Sequence, residues 1–229
     1  MNAPRASPIF ATPDQQNRPE PNQTHRRALG TKRRILLAAA RLFRDQGYKA
    51  TTLRDIAKAS RLATGSMYYH FSSKEELLNQ VLDDGIAAFD LMVREAVGAA
   101  APGASELDRL HIAVRTHLHA LLDASEVTRA YPRVFAQLPV SMRQRNHAKR
   151  LLYFDFWRHL FERGQASGEL HPNLPVGPIV DLLIAAMSRV HEWYDPAAPV
   201  GADTAVGIDM LSRSLLNWLI KGIGAPDRS

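Results

Sequence analysis

The stretch Thr51–Leu78, TTLRDIAKASRLATGSMYYHFSSKEELL, constrains the fold of this chain more than any other part of the sequence. Thr52 and Asp55 have the spacing of a capping box, in which a hydroxyl accepts from an unpaired backbone N–H and a carboxylate reaches back to the cap. This pair predicts a short helix. After a three-residue turn, residues 63–70 predict a second short helix, and the Ser-Lys-Glu-Glu sequence at 73–76 caps a longer one. The stretch therefore predicts two short helices joined by a tight turn and packed against the helix before them.

The remaining periodicity is helical, because apolar residues recur at spacings of three and four and no stretch shows sustained strand alternation. The first helix is predicted to begin at Thr31 and to end at Gly47, a residue suited to a C-cap. The others are predicted near residues 73–97, 106–123, 125–137, 140–166, 176–194 and 203–222. We therefore expect an all-α protein, with a small N-terminal helix-turn-helix domain of three helices and a larger C-terminal helical domain.

Proline and charge are both concentrated at the N-terminal end. Five prolines among polar residues in 1–28 predict a flexible tail, because such a segment buries too little apolar surface to offset its ordering entropy. We place the helix-turn-helix domain at 29–75 and the C-terminal domain at 76–229. Residues 1–70 hold 13 Lys and Arg against 4 Asp and Glu, a net charge of +9, whereas residues 71–229 carry −3. This asymmetry is typical of proteins that neutralise nucleic-acid phosphates, although a solvated basic face would give the same count.

Several other classes of protein are excluded by composition and motif. The chain has no cysteine, which excludes disulfides, thiolate zinc sites and cysteine nucleophiles. No signal peptide or membrane span is predicted, so we expect a cytoplasmic protein. His111, His117 and His119 do not share one helix face as metal ligands at i and i+4 would, and no nucleophile-elbow, phosphate-loop or zinc-protease motif occurs. We expect no metal, no cofactor and no enzymatic activity.

The second short helix has the composition of a helix that enters the major groove, where each base pair presents a distinct pattern of donors and acceptors. Its small residues let the backbone approach the bases, and its tyrosines and histidine reach phosphates or base edges. Lys74 lies in the first turn of the next helix, where the ammonium and the helix N-terminus both favour a phosphate. The alternative is three ordinary helices with Tyr68 and Phe71 in a core. The basic N-terminal charge favours DNA binding.

The segment from Arg33 to Leu82 resembles the DNA-binding domain of TetR-family bacterial regulators. The matching residues are Ile35-Leu36, Ala39, Leu42-Phe43, Gly47-Tyr48, Thr51-Thr52, Ile56-Ala57, Gly65 to Phe71 and Ser73 to Leu77. The resemblance implies that the recognition helix covers 64–70. It also implies that bases and phosphates are contacted by Thr52, Thr64, Gly65, Ser66, Tyr68, Tyr69, His70 and Lys74.

Two residues depart from the family pattern. Arg61 stands in the turn where the family usually has glycine, and a non-glycine residue in a left-handed conformation costs on the order of 1 kcal/mol. Ala63 stands where the family favours a serine cap, and a missing cap costs about 1 kcal/mol unless Thr64 caps instead. These departures leave the assignment in place but blur which residue leads into the groove.

TetR-family proteins are dimers, and a dimer would place two reading helices on successive major-groove faces of a near-palindromic operator. The last two helices offer apolar stripes for such an interface: Ile179, Leu183, Met187, Val190, Ile208, Leu211, Leu215 and Leu219. The alternative is that these stripes only complete an intramolecular core.

The resemblance also implies an effector pocket in the C-terminal domain. Candidate lining residues are Phe89, Met92, His117, Leu118, Leu121, Phe135, Phe154, Trp157, Met187 and Trp193, although ordinary core packing is the better explanation for any single one of them. The Trp-Tyr-Asp-Pro sequence at 193–196 resembles acyl-CoA-responsive TetR subgroups, in which case arginines would meet the CoA phosphates: Arg129, Arg133, Arg143 and Arg145. We expect a repressor released from double-stranded operator DNA by a small hydrophobic or acyl-CoA-type ligand. The alternative is a non-sensing DNA-binding dimer controlled by a protein partner.

Overall fold

A computed structural model describes residues 23–122, 125–145, 147–192, 194 and 204–221. These residues form helices and connecting turns, with no strand among them, so the all-α prediction is confirmed. The α-helices are α1 (Gln23–Gln46), α2 (Leu53–Ala59), α3 (Thr64–Met67), α4 (Lys74–Gly98), α5 (Glu106–Leu122), α6 (Glu126–Gln137), α7 (Val140–Arg145), α8 (His147–Ala166), α9 (Val176–Ser188) and α10 (Thr204–Lys221). A 3-10 turn (Val190–Glu192) follows α9.

Helix α1 begins earlier than the sequence predicts. It includes residues 23–28, which were assigned to a flexible tail, so the predicted boundary is wrong by six residues; residues 1–22 lie outside the described part. The error arose because His25-Arg26-Arg27 has no apolar period, whereas a helix already propagating extends at little cost. The helix predicted at 140–166 corresponds to α7 and α8, with residue 146 between them outside the described residues.

The N-terminal head has a core built from α1 to α3, the first half of α4 and, from much later in the chain, α6. Ile35, Phe43, Ile56 and Met67 are buried in this head core. The α6 residues that join it are Ala130, Val134 and Leu138. The boundary placed at residue 75 falls at the start of α4, whose residues Leu77 to Leu82 also belong to the head core. The head is therefore completed by a helix of the C-terminal half.

The C-terminal core is formed by the second half of α4 with α5, α8, α9 and α10. Trp157, Tyr153 and Phe161 of α8 are fully buried at its centre, packed with Phe89 of α4. Gly164 allows α8 to meet the loop before α9, because a Cβ there would lie 2.7 Å from Leu170.

The stripe predicted to form the dimer interface faces this core instead. Its buried members are Ile179, Leu183, Met187, Val190 and Ile208, while Leu211 and Leu215 pack partly against the same core and the side chain of Leu219 lies outside the described residues. The interface assignment is therefore wrong for the buried residues, since helical periodicity identifies an apolar face but not the chain that covers it. The opposite faces of α9 and α10 expose Leu182, Met210 and Trp218.

Arg61 lies in the turn between α2 and α3 with φ of +58°, the left-handed conformation that its sequence position implied. Arg61→Gly is expected to raise the free energy of unfolding by about 0.5–1 kcal/mol, because relief of the left-handed strain exceeds the added entropy of the unfolded chain. Urea unfolding measures this. Lys58→Gly in the last turn of α2 is the control, expected to destabilise by about 1 kcal/mol. An Arg61→Gly variant no more stable than the parent would contradict the assignment of strain.

Candidate DNA-binding surface and ligand cavity

Helix α3 presents one face to solvent and one to the head core. Met67 and, just beyond the helix, Phe71 are buried, which fixes its orientation. Tyr68 is exposed and Tyr69 is 91% exposed, so both side chains project away from the core. The alternative that placed Tyr68 in a core is therefore wrong, whereas Phe71 is a core residue as expected.

The N-terminal end of α3 carries no side-chain cap. Ala63 occupies the cap position without a side-chain hydrogen bond, and the helix begins at Thr64, which therefore does not replace it as the cap. Thr64 and Gly65 are exposed and Ser66 is half-buried. This surface offers small side chains at its front, followed by Tyr68, Tyr69 and the half-buried His70.

Thr52 caps α2 through the predicted capping box. Its hydroxyl accepts from the Asp55 N–H at 3.2 Å and donates to Asp55 Oδ2 at 2.6 Å. The hydrogen bond from the Thr52 hydroxyl to the carboxylate, together with one from the Thr52 N–H, holds the pKa of the Asp55 carboxyl below its usual value. Thr52 remains exposed at the beginning of α2.

Lys74 does not extend into solvent as a phosphate ligand would. Its Nζ donates to the carbonyl oxygens of Tyr48 and Thr51, each at 2.9 Å, and lies 4.4 Å from the centre of the Tyr48 ring. Two of its three donors are thus used to connect α4 to the loop before α2. The predicted phosphate role is corrected to a structural one, which the sequence did not reveal because Tyr48 lies 26 residues away.

A cavity of about 250 Å³ lies among α4, α5, α6, α8 and α9. Among the residues predicted to line a pocket, four are in its wall: Phe89, His117, Phe135 and Phe154. Five others lie in or against the apolar core and not in this wall, and Leu121 also lines a separate cleft: Met92, Leu118, Leu121, Trp157 and Met187. Trp193 lies outside the described residues. The wall also contains Tyr131 and Tyr153, which the sequence reasoning missed, although Tyr131 lies at helical spacing from Phe135.

The inner wall of the cavity is polar as well as aromatic. His117 is 3% exposed, and its Nδ1 is 2.6 Å from the hydroxyl of Tyr153. Its ring stacks on Phe89 with centroids 4.7 Å apart. Burial lowers the pKa of His117 to about 3, so the imidazole is neutral, and burial raises the pKa of Tyr131 to about 12.

The outer side of the cavity is basic. The half-buried Arg143 and Arg150 and the exposed Arg189 line it, and we call these three residues the cavity mouth. The Arg150 guanidinium lies 4.8 Å from the ring centre of Phe135 and 4.7 Å from that of Phe154. Among the described residues, neither Arg143 nor Arg150 forms an ion pair.

The other arginines predicted to meet CoA phosphates lie elsewhere. Arg145 forms an ion pair with Glu75 at the start of α4. Arg129 and Arg133 line a separate cleft beside His191, and Arg133 donates to the His191 carbonyl at 3.4 Å. Only Arg143 of the predicted set is therefore part of the cavity wall.

Helix α6 joins the cavity to the head. Its residues Ala130 and Val134 are buried in the head core, and the residue after each of them, Tyr131 and Phe135, lines the cavity. Tyr131 packs closely on α4, since a Cβ at Gly85 would lie 2.8 Å from the Tyr131 Cβ. A displacement of the cavity wall on α6 therefore displaces part of the head core as well.

The N-terminal head is basic and exposes a short helix, and the helical domain joined to it contains a cavity. This arrangement is typical of a helix-turn-helix DNA-binding protein. Two family models match the chain: "Bacterial regulatory proteins, tetR family" at residues 35–81 and "Tetracyclin repressor-like, C-terminal domain" at residues 103–207. The chain belongs to the TetR family. It is a DNA-binding transcriptional regulator and not an enzyme.

Similar proteins include repressors of the same architecture. The HTH-type transcriptional repressor KstR2 of Mycolicibacterium smegmatis is 28% identical over 176 residues, covering 74% of this chain and 82% of the relative. KstR2 of Rhodococcus jostii is 26% identical over 198 residues, covering 86% and 93%. The crystal structure of AibR in complex with isovaleryl coenzyme A and operator DNA has a TM-score of 0.69 at 24% identity, covering 83% of this chain and 98% of that one. No helix within the described residues is long and apolar enough to cross a membrane.

Proposed function

We propose that this protein is a homodimeric repressor that binds a near-palindromic operator and is released by a small hydrophobic or acyl-CoA-type ligand. The proposal depends on one observation: helix α6 contributes residues both to the cavity wall and to the head core. A ligand in the cavity is thereby in contact with a helix on which the position of the reading surface depends. The cavity also favours sensing over the alternative in which the C-terminal domain serves only for dimerisation and partner binding.

The ligand acts by preferring one of two conformations of the dimer. A hundredfold weakening of operator binding requires about 2.7 kcal/mol of difference between the ligand affinities of the two conformations. The close contact of Gly85 with Tyr131 supports such coupling, because α4 and α6 have little room to move independently there.

The outward faces of α9 and α10 are the proposed dimer interface. Leu182 is 67% exposed and Trp218 is 59% exposed, with Met210 between them in chain order. Large apolar side chains exposed on helix faces are characteristic of association surfaces. Two copies joined through this face would supply the pair of reading heads that a palindromic operator requires.

The acyl-CoA part of the proposal has two supports. Arg143 and Arg150 offer positive charge without carboxylate partners among the described residues, which suits ligand phosphates, whereas Arg189 pairs with Glu192 at 2.8 Å. AibR, a structural neighbour, was crystallised with isovaleryl coenzyme A and operator DNA. The cavity of about 250 Å³ is smaller than most sites for whole drug-sized ligands, so it suits the acyl group better than the whole of CoA. The acyl group would therefore occupy the cavity and the nucleotide would lie outside it.

The reading surface is proposed to comprise Thr52, Thr64, Gly65, Ser66, Tyr68, Tyr69 and His70. Tyr69→Ala is expected to weaken binding to the DNA upstream of the protein's own gene by at least tenfold, because this exposed side chain projects from the proposed reading surface. Footprinting and fluorescence anisotropy measure the loss, and the melting temperature is expected to stay unchanged.

Leu152→Ala serves as the matched control for operator contact, because it removes a large exposed apolar side chain on α8, remote in the fold from the head. At protein concentrations where dimerisation is complete, this variant is expected to leave operator affinity unaltered.

In the same assay, octanoyl-CoA is expected to release the parent protein from DNA. Full protection of the operator by Tyr69→Ala, or complexes unaffected by every acyl-CoA and carboxylic acid tested, would refute the proposal.

A further inference from the structure

Two residues in the cavity wall carry buried polar atoms without partners. His117 Nε2 and the hydroxyl oxygen of Tyr131 are both inaccessible to solvent and form no hydrogen bond within the described residues. A buried donor or acceptor without a partner is destabilising, and most such atoms in folded proteins are paired. Both residues line one cavity, and the proposed function requires a ligand there. A ligand that pairs them recovers the free energy that the empty site forfeits.

Hydrogen counting assigns the unpartnered nitrogen of His117 as a donor. If the Tyr153 hydroxyl donates to His117 Nδ1, the remaining proton of the neutral ring is on Nε2, and only that donor is unmatched. If Nδ1–H donated to Tyr153 instead, both the tyrosine proton and the bare Nε2 would be unmatched. The first arrangement leaves fewer groups unsatisfied. The wall of the cavity therefore contains an unmatched N–H of His117 and an unmatched hydroxyl of Tyr131, and no oxygen of the described residues accepts from them.

The opposite side of the cavity sets the other requirement. Arg143, Arg150 and Arg189 surround the mouth, and Arg150 is held by its stacking on Phe135 and Phe154. A fixed guanidinium binds an anionic group through paired N–H donors. The inner donors and the mouth arginines thus address different ends of one ligand.

We infer that the effector is an anionic molecule whose buried apolar portion carries an oxygen acceptor that hydrogen-bonds His117 and Tyr131, as an oxygenated acyl thioester does. This inference rests on the proposed ligand-responsive function and narrows its ligand class. A plain hydrocarbon chain of the same length leaves both groups unpaired. Sites built to hydrogen-bond an oxygen discriminate strongly against analogues that lack it.

The test uses CoA derivatives that share an eight-carbon chain and differ in oxygen content: the thioether octyl-CoA, the thioester octanoyl-CoA and monohydroxylated octanoyl-CoA isomers. Isothermal titration with the full-length protein is expected to show that addition of one oxygen, at the thioester or along the chain, tightens binding at least tenfold. In Tyr131→Phe the same oxygen is expected to improve binding less than threefold. This variant is expected to fold as well as the parent, because it loses only an unpaired hydroxyl.

Tyr48→Phe removes the hydroxyl of a half-buried tyrosine in the head and is the matched control, expected to retain the full preference. As a readout that packing alone does not change, the Nε2–H resonance of His117 is expected to shift downfield when the preferred derivative binds. Equal affinity for all derivatives would overturn this inference and leave the proposed function standing. Absence of binding by every derivative and by the corresponding free acids would overturn both.

Discussion

Acidification from pH 6.5 toward pH 3 is expected to destabilise the folded protein by about 5 kcal/mol through His117 alone. Above pH 6.5 the imidazole is neutral in both the folded and unfolded chains, so the stability does not depend on its titration. Below pH 6.5 the unfolded chain binds a proton that the folded chain excludes until about pH 3, because burial opposes the charged ring. Each pH unit in this window then costs up to about 1.4 kcal/mol.

Urea unfolding at a series of pH values measures this effect as a difference between variants, since carboxylates also titrate in the window. His117→Phe is expected to remove the contribution of His117 from the slope, even though it leaves the Tyr153 hydroxyl unpaired and lowers stability at neutral pH. His159→Gln, on the exposed side of α8, is the matched control and is expected to keep the parent's slope. Parallel pH profiles for the parent and His117→Phe would show that the ring is not buried in its neutral form.

Replacement of Lys74 by methionine is expected to lower the free energy of unfolding by about 3 kcal/mol. The change removes two hydrogen bonds from a charged donor and leaves the carbonyls of Tyr48 and Thr51 without that partner. It also removes the contact between the ammonium and the Tyr48 ring. The midpoint of urea unfolding measures the loss.

Lys49→Met makes the same change of charge at an exposed position of the head and is expected to cost less than about 0.5 kcal/mol. The salt dependence of operator binding separates the two roles considered for Lys74. If Lys74 contacts a phosphate directly, Lys74→Met would reduce the slope of operator affinity against salt concentration by about 1 and would leave the free energy of unfolding unchanged. That combination of results would restore the phosphate role and contradict the contacts described above.

The sequence predicts local structure well where a side chain caps or ends a helix. The capping pair of Thr52 and Asp55 occurs as expected, and α5 begins at Glu106, at the residue that the pattern indicated. Arg61 adopts the left-handed conformation that a glycine in this turn would adopt. These features depend on residues within a few positions of one another, so the sequence contains their causes directly.

The errors concern contacts between distant residues. Met187 and Ile208 lie on apolar faces as predicted, but the partner of each face is the same chain rather than a second copy. Trp157 is large and aromatic, as pocket residues often are, but it is fully buried in the core. Tyr131 lines the cavity because α6 crosses α4 at Gly85. Periodicity reports that a face is covered. Which element covers it depends on the arrangement of the helices in space.

Because Ala130, Val134 and Leu138 pack against α1 and α4, the two segments that family models match are not independent folding units. A fragment ending near residue 100 would contain every residue of the reading surface and yet would leave an apolar trough on α1 and α4 open to water. Such a fragment would be prone to unfold or aggregate rather than bind DNA. Evolution of new effector specificity is subject to the same restriction, since a substitution on α6 that changes the cavity must also be compatible with folding of the head.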